Sequence, residues 1–472
     1  MEYYLILILS TVVIFFLAWA IYSKTRTIGY PLAIAFLYYW SLYGAWWIVY
    51  DRRGGWSGFS YGYLDRRLFP VHLDDSYFWA VVLYATFVVA TELGLLLSVS
   101  SAKVRLKEAR AQIAIYHPAV LLITASAGIL SYLIIRPYVS LAWESYASGY
   151  VMTRSSGSES RFFTLHQVLS RAALVPAALG FAVWCSGKEA RFITGRGPRW
   201  SGLGYLLVLG GMFCFSLVIG YRSDLVFAGV SGWLFYLANS MRHRFVLVAA
   251  WPAAGLLGLW LVEILRAFPL SELLPALLYL KTSDLLSAVH SFKSSNEAFA
   301  AHFSMYGVLA EKVAPTYGYS LLSLAASAIP RVLWPSRPAD IYYYYAESVG
   351  AVPGQGYTLH HATAWYLNFG VPGVVIGGML LGWVLAKCFN SYVAATLSGS
   401  RWRYVLSILA PWTSIGCMPT VLRAGPEAYK GLIIEGFLIP SLLLAFASLR
   451  CRQIPRGSKQ SIRRTAIRSK CF

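Results

Sequence analysis

The stretch PRVLWPSRPADIYYYYAESVGAVPGQGYTLHHATAWYLNFGVPG, Pro330 to Gly373, is a polar interruption in an otherwise apolar chain, and the fold is read outward from it. It holds Arg331, Arg337, Asp340, Glu347, His360 and His361 in a short interval, too many ionisable groups for a segment inside hydrocarbon. It is therefore a connection between spans. Its glycines and prolines supply bends that other residues make only at a cost. The row Tyr342, Tyr343, Tyr344 and Tyr345 adds a flat aromatic surface. Two readings fit these residues: a solvated loop with an interfacial aromatic belt, or the seat of an anionic, sugar-bearing ligand.

The setting is a membrane. Of the 472 residues, 58% are hydrophobic and 16% aromatic, a composition foreign to soluble globular domains. Apolar runs near the roughly 20 residues that cross a bilayer recur along the chain. Spans are expected at about 4–22, 31–50, 78–98, 117–135, 168–186, 203–219, 225–241, 245–262, 363–386, 404–421 and 430–449. The runs are continuous rather than alternating, which disfavours a β-barrel. The expected fold class is all-α, a polytopic membrane helix bundle of about eleven transmembrane helices.

A net charge of +20 would suit nucleic acid if it were gathered on a soluble surface. It is not. The basic residues fall in alternate connections, at Lys24/Arg26, Lys103 to Arg110, Lys188 to Arg199, Arg242/Arg244, Lys387/Arg401/Arg403 and the tail from Arg450. The positive-inside rule puts these connections in the cytoplasm, the N-terminus outside and the C-terminus inside. Nucleic acid is excluded as a partner; membrane lipid is expected as one. Residues 1–20 are read as an uncleaved span, because Lys24 and Arg26 follow the apolar run instead of preceding it. All six cysteines fall in spans or on the cytoplasmic side, so no disulfide framework and no zinc spacing is expected.

Four regions follow: a bundle of spans one to eight over 1–262, an outer helical loop over 263–361, spans nine to eleven over 362–449, and a basic tail over 450–472. The outer loop contains three amphipathic helices, at 271–281, 283–293 and 296–313, placed as a roof over the bundle. A re-entrant or interfacial segment at 317–334 follows them. Asp74 and Asp75 are read as helix-capping acids ahead of catalytic ones. Glu92 and Glu435 are taken as the ionisable residues inside spans, with Glu435 pairing an arginine such as Arg423.

The outer side also collects Arg136, Arg222, Arg331, Arg337 and Arg423 from distant parts of the sequence. Guanidinium groups meeting at a membrane surface suit a lipid pyrophosphate, which they bind bidentately.

The motifs IPRVLWPSRP, GYRSD, the His360/His361 approach to YLNFGVPG and the late LRAGP corner resemble the bacterial O-antigen polymerases, or oligosaccharide repeat-unit polymerases, over about Tyr61 to Leu444. The resemblance implies a GT-C-like, metal-independent glycosyltransferase with no cofactor. Its partners would be undecaprenyl-pyrophosphate-linked glycan donor and acceptor, and a chain-length regulator protein. Chemistry would take place on the periplasmic face of the inner membrane. In related O-antigen ligases a histidine precedes an E-x-G-x-x-G helix; here Asn368, Gly370 and Gly373 fit N-x-G-x-x-G, with Asn in place of Glu. On this reading His361 or His360 activates the acceptor hydroxyl. Arg136, Arg222, Arg331, Arg337 and Arg423 hold the pyrophosphate, and Tyr342 to Tyr345 with Tyr357 stack on sugars. The alternatives are O-antigen ligase and a flippase that binds the same anion without chemistry.

Overall fold

A computed structural model describes residues 2–51, 73–100, 113–144, 160–219, 223–242, 244–265, 297–327, 338–350, 358–395 and 401–451, with single positions at 275, 329, 334 and 336. Arg222, Arg331, Arg337 and Tyr357 lie outside the described residues, as do most of the expected helices at 271–281 and 283–293.

The chain is a helical bundle. Among the described residues seven helices are long and apolar enough to cross a bilayer, and Ser201–Ser216 and Phe245–Gly258 are shorter apolar helices. In chain order the first elements are α1 (Glu2–Thr25), α2 (Gly29–Tyr38), α3 (Gly44–Asp51) and α4 (Asp75–Ser98), then α5 (His117–Glu144), α6 (Ser160–Ser186), α7 (Ser201–Ile219), α8 (Ser223–Asn239) and α9 (Phe245–Leu265). A π-helical turn at Tyr39–Tyr43 joins α2 to α3. Next come α10 (Glu297–Ala310), α11 (Tyr319–Ser327), α12 (Ile341–Ser348), α13 (His361–Ala394), α14 (Arg401–Gly416), α15 (Met418–Leu422) and α16 (Ala428–Phe446), the last with a π-helical stretch at Gly431–Leu438.

The structure departs from all-α at one end. Strands β1 (Ile113–Tyr116), β2 (Ile193–Arg196) and β3 (Ser448–Cys451) form a sheet in the order β2-β1-β3, parallel on one side and antiparallel on the other. Four-residue strands beside long apolar runs leave almost no sequence signal. The sheet ties three distant connections to one end of the bundle, where Arg401 also donates to the Ser448 carbonyl and Arg242 faces Glu189. All three connections are ones that the charge pattern assigned to a single side.

α1 and α4 fix the two ends. The Tyr3 hydroxyl donates to the Asp74 carbonyl at one, where both helices begin, and Lys24 Nζ donates to the Leu96 carbonyl at the other, where both end, so the helices run parallel along their length. Asp74 caps α4 as expected, accepting from the Tyr77 N–H at 2.8 Å.

α13 is where the chain departs most from a simple span. Run straight, its 34 residues would reach about 51 Å, against a hydrocarbon core of about 30 Å. Phe369 and Gly370 leave the helical region, Gly370 at φ 65° and ψ −148°, a conformation open essentially to glycine alone. The chain folds back there. A side chain at Gly373 would strike the Trp365 carbonyl, and one at Gly377 would strike the Trp365 ring, contacts that a straight helix would hold well over 10 Å apart. Residues 361–368 therefore form a short helix lying against 371–394. Asn368 seals the turn: Oδ1 accepts from the Ser320 N–H, and the amide nitrogen donates to Ser320 Oγ and to the Ala364 carbonyl. Each defined position of N-x-G-x-x-G thus has a structural task here.

Below the turn, 371–394 packs along α4 through glycines. A Cβ at Gly378 would come within 2.7 Å of the Phe87 carbonyl oxygen, and Gly94 and Gly382 are equally confined. Without a hydrophobic drive between helices in lipid, such close backbone approach supplies the packing.

Candidate functional site

The helix α10 is buried nearly throughout, from Ala301 and His302 to Val308, and packs on α4, on the π-helical turn and on α13. It is a member of the bundle, not the roof that its amphipathic pattern suggested. Its serine, histidine and aromatic side chains look polar in sequence because they bond inward.

That bonding forms a dry polar core. His302 donates from Nδ1 to the Ser41 carbonyl at 2.8 Å, an acceptor that the wide π-helical turn turns outward from its helix. Its Nε2 then accepts from the Tyr77 hydroxyl at 2.8 Å. The Tyr84 hydroxyl donates to the His302 carbonyl at 2.7 Å and accepts from the Met305 N–H. Ser304 Oγ accepts from the His360 N–H and shares a hydrogen bond with Thr363 Oγ1 at 2.9 Å.

Both expected catalytic histidines belong to this core and are fully buried. His360 caps the short helix, Nδ1 accepting from the Ala362 N–H at 3.0 Å, so its proton sits on Nε2 and faces Ser41 Oγ at 3.2 Å. His361 donates from Nδ1 to the Ala424 carbonyl at 2.7 Å; its Nε2 accepts from the Tyr429 hydroxyl at 2.9 Å and from Trp365 Nε1 at 3.2 Å. Every ring nitrogen is therefore occupied. Both rings also lie about 6 Å from Phe87, halfway along the 24-residue α4, deeper than the outer surface where the sequence reading put them. The fold-back of α13 is the reason, since it carries the start of the helix inward.

The His361 contacts draw in the corner 423–427 between α15 and α16. Arg423 stands at the C-cap of α15, and Glu427 Oε1 accepts from the Ile341 N–H at 3.0 Å. Glu427 does for α12 what Asp340, at the N-cap position, does not do with its own side chain. Its second oxygen is buried without a hydrogen-bond partner among the described residues. Burial pushes this carboxyl up to about 7, with Asp340 adding to the rise. The structure thus unites three sequence motifs at one place: the tyrosine helix, the paired histidines and the LRAGP corner.

The tyrosines do not make one flat face. Successive helical residues point about 100° apart, so Tyr343 is exposed, Tyr342 and Tyr344 are half-buried and Tyr345 is in the core. The Tyr344 hydroxyl is spent on the Ala314 carbonyl at 2.9 Å. Arg136 is exposed on α5.

A second polar cluster was not foreseen. Arg171, inside the span at 168–186, donates from Nε to Asp224 at 2.9 Å and from a terminal nitrogen to Glu435, and all three are buried. Glu435 is thus paired as expected, but Arg171 takes the place given to Arg423. Glu92 is buried with neither oxygen hydrogen-bonded among the described residues.

No family model matches the chain, and no curated protein or solved structure matches it either.

Proposed function

We propose that this chain is an inner-membrane oligosaccharide repeat-unit polymerase, with eleven spans and a GT-C-like arrangement, that lengthens a glycan carried on undecaprenyl pyrophosphate. The observation that carries the reading is the corner at 423–430, where Arg423, Glu427, Tyr429, His361 and the tyrosine helix meet. A cation for a pyrophosphate, aromatic rings for sugar faces and an oriented imidazole are the groups such a transfer needs. The acceptor hydroxyl attacks the anomeric carbon of the donor glycan, the glycosidic bond to pyrophosphate breaks with inversion, and the arginines stabilise the charge left on the pyrophosphate. His361 reaches the acceptor through Tyr429: its Nδ1 is fixed as a donor by Ala424, which leaves Nε2 as the proton-accepting atom behind the Tyr429 hydroxyl. Arg331, Arg337, Arg222 and Arg136 are assigned with Arg423 to the pyrophosphate, and Tyr343 with Tyr357 to the sugars.

The decisive assay supplies purified protein in vesicles with lipid-linked repeat units alone and measures glycan length. Longer glycans from the wild type, and none from Arg423→Gln or Arg331→Gln inserted at normal levels, are expected. A wild type that never lengthens the glycan sinks the reading. The folded-back α13 favours a second reading, a flippase, since broken helices at mid-membrane depth suit transport. The same vesicles separate the two, because a flippase moves the lipid-linked unit across the bilayer at unchanged length.

A further inference from the structure

Between α5 and α7 runs an apolar groove of about 380 Å³, walled by Thr124, Gly128 and Tyr132 on one side and Leu207, Gly211 and Phe215 on the other. Its one polar wall atom outside the aromatic end, Thr124 Oγ1, is satisfied by the Val120 and Leu121 carbonyls of its own helix, which leaves the trough dry. Glycines give it its depth: nothing lies within 4 Å of where a Gly211 side chain would begin. Both helices are apolar on their outer surfaces, so the groove opens into hydrocarbon.

The two ends of the groove differ. Thr124, Gly128, Tyr132 and Arg136 follow one another at intervals of four, each one turn on and about 40° round from the last, so Arg136 stands just beyond Tyr132 at the end of the trough. Towards Arg136 the trough closes on a polar aromatic group: Tyr132 meets the Phe215 ring at 6.0 Å, Phe215 meets His166 at 5.4 Å, and His166 is hydrogen-bonded to Ser131 at 2.7 Å. One turn further, Arg136 is exposed at the end of the apolar segment. A hydrocarbon slot that ends beneath a guanidinium is complementary to an anionic lipid, with its tail in the slot and its phosphate on the arginine. The slot lies between one pair of helices, and Thr124 to Tyr132 spans about 12 Å of helix. It holds the head-proximal part of one chain, which favours a one-tailed lipid over a diacyl one.

We infer that the α5–α7 groove seats the tail of a polyprenyl phosphate, with Arg136 on the phosphate. The inference rests on the proposed function only for the identity of the tail, and binding can be read without turnover. The full-length protein is placed in phosphatidylcholine nanodiscs with a polyprenyl monophosphate carrying a photoreactive group on its tail, and labelled peptides are mapped by mass spectrometry. Labelling is expected on 124–132 and 207–215. Arg136→Gln should cut it roughly tenfold, the loss of one charge-assisted contact. Gly211→Phe, whose Cβ has nothing within 4 Å and whose ring fills the slot, should abolish it with helix content unchanged; Leu207→Trp gives the same test with a milder change of backbone. Equal labelling by the matching polyprenol or by a photoreactive diacyl phosphatidylglycerol overturns the inference, as does labelling that persists in both slot-filling variants. Labelling intact in a protein that never lengthens glycans would sink the polymerase reading and leave the groove standing; glycan lengthening intact without labelling would do the reverse.

Discussion

Two of the polar clusters that the described residues place inside this apolar bundle are held together on opposite principles. Around His302, His360 and His361 the groups are neutral, and each imidazole has its Nδ1 set by the backbone, by a carbonyl for His302 and His361 and by an N–H for His360. Around Arg171 the groups are charged, and one guanidinium stands between two carboxylates on two other helices. A neutral network loses only the hydrogen bonds of the member that goes. A buried ion cluster loses its cation and keeps the unpaid repulsion and desolvation of what remains. The difference sorts the expected consequences of mutation.

The largest effect belongs to Arg171. Arg171→Met leaves Asp224 and Glu435 buried together, which should cost about 3–5 kcal/mol and show as a protein that unfolds early on heating in detergent. The comparison is sharpened by the triple variant Arg171→Met, Asp224→Leu, Glu435→Met. If charge is the principle, the triple variant recovers most of the lost stability; if it is no better than Arg171→Met, packing by the arginine stem was the larger part.

Glu427 falls between the two principles, since it is a carboxyl bonded to a backbone N–H and otherwise enclosed. Its folded-state value is raised from 4.5 to about 7, so the stability it contributes is fully present below about 4.5 and is lost as pH rises through about 7. At most ~3 kcal/mol is at stake over that window. Hydrogen exchange of residues 341–348 should therefore quicken as pH is raised from 5 to 8, after correction for intrinsic rates. Asp340, Arg423 and Lys430 share the corner, so the control is Glu427→Gln, in which that change should flatten. A slope that survives the substitution assigns the titration to another group.

In the neutral cluster His302→Phe removes two partners at once, from the Ser41 carbonyl and the Tyr77 hydroxyl, for a loss of about 1–3 kcal/mol. Adding Tyr77→Phe should cost less than it does alone, because its hydroxyl has already lost its acceptor. Additive losses in this pair would mean that the two side chains are not coupled.

The same contrast explains what could be read from the sequence. Apolar runs and alternating basic connections announced a helical membrane bundle, and Asp74 announced a helix start, because those signals are local. The fold-back of α13 was written locally too, in Asn368, Gly370, Pro372 and Gly373, but a continuous apolar run masked it. α10 misled because its polar residues are satisfied by Ser41, Tyr77 and Tyr84, more than 200 positions away. Arg171 was hidden for a similar reason: one cation in an apolar span has no local partner, and only the tertiary fold brings Asp224 and Glu435 to it.

The smallest effect is expected at Tyr429. His361 Nε2 accepts from two donors, the Tyr429 hydroxyl and the Trp365 indole N–H, so taking away the first leaves the lone pair occupied by the second. Tyr429→Phe should then cost under about 1 kcal/mol, against a far larger loss for His361→Ala, which strands the Ala424 carbonyl and both donors in a dry core. Stability and activity should part company at this residue. If acceptor protons reach His361 through the Tyr429 hydroxyl, the phenylalanine variant melts almost with the wild type yet lengthens glycans far more slowly. A variant that is stable and fully active removes Tyr429 from the path, and with it the route by which a buried imidazole could serve the reaction.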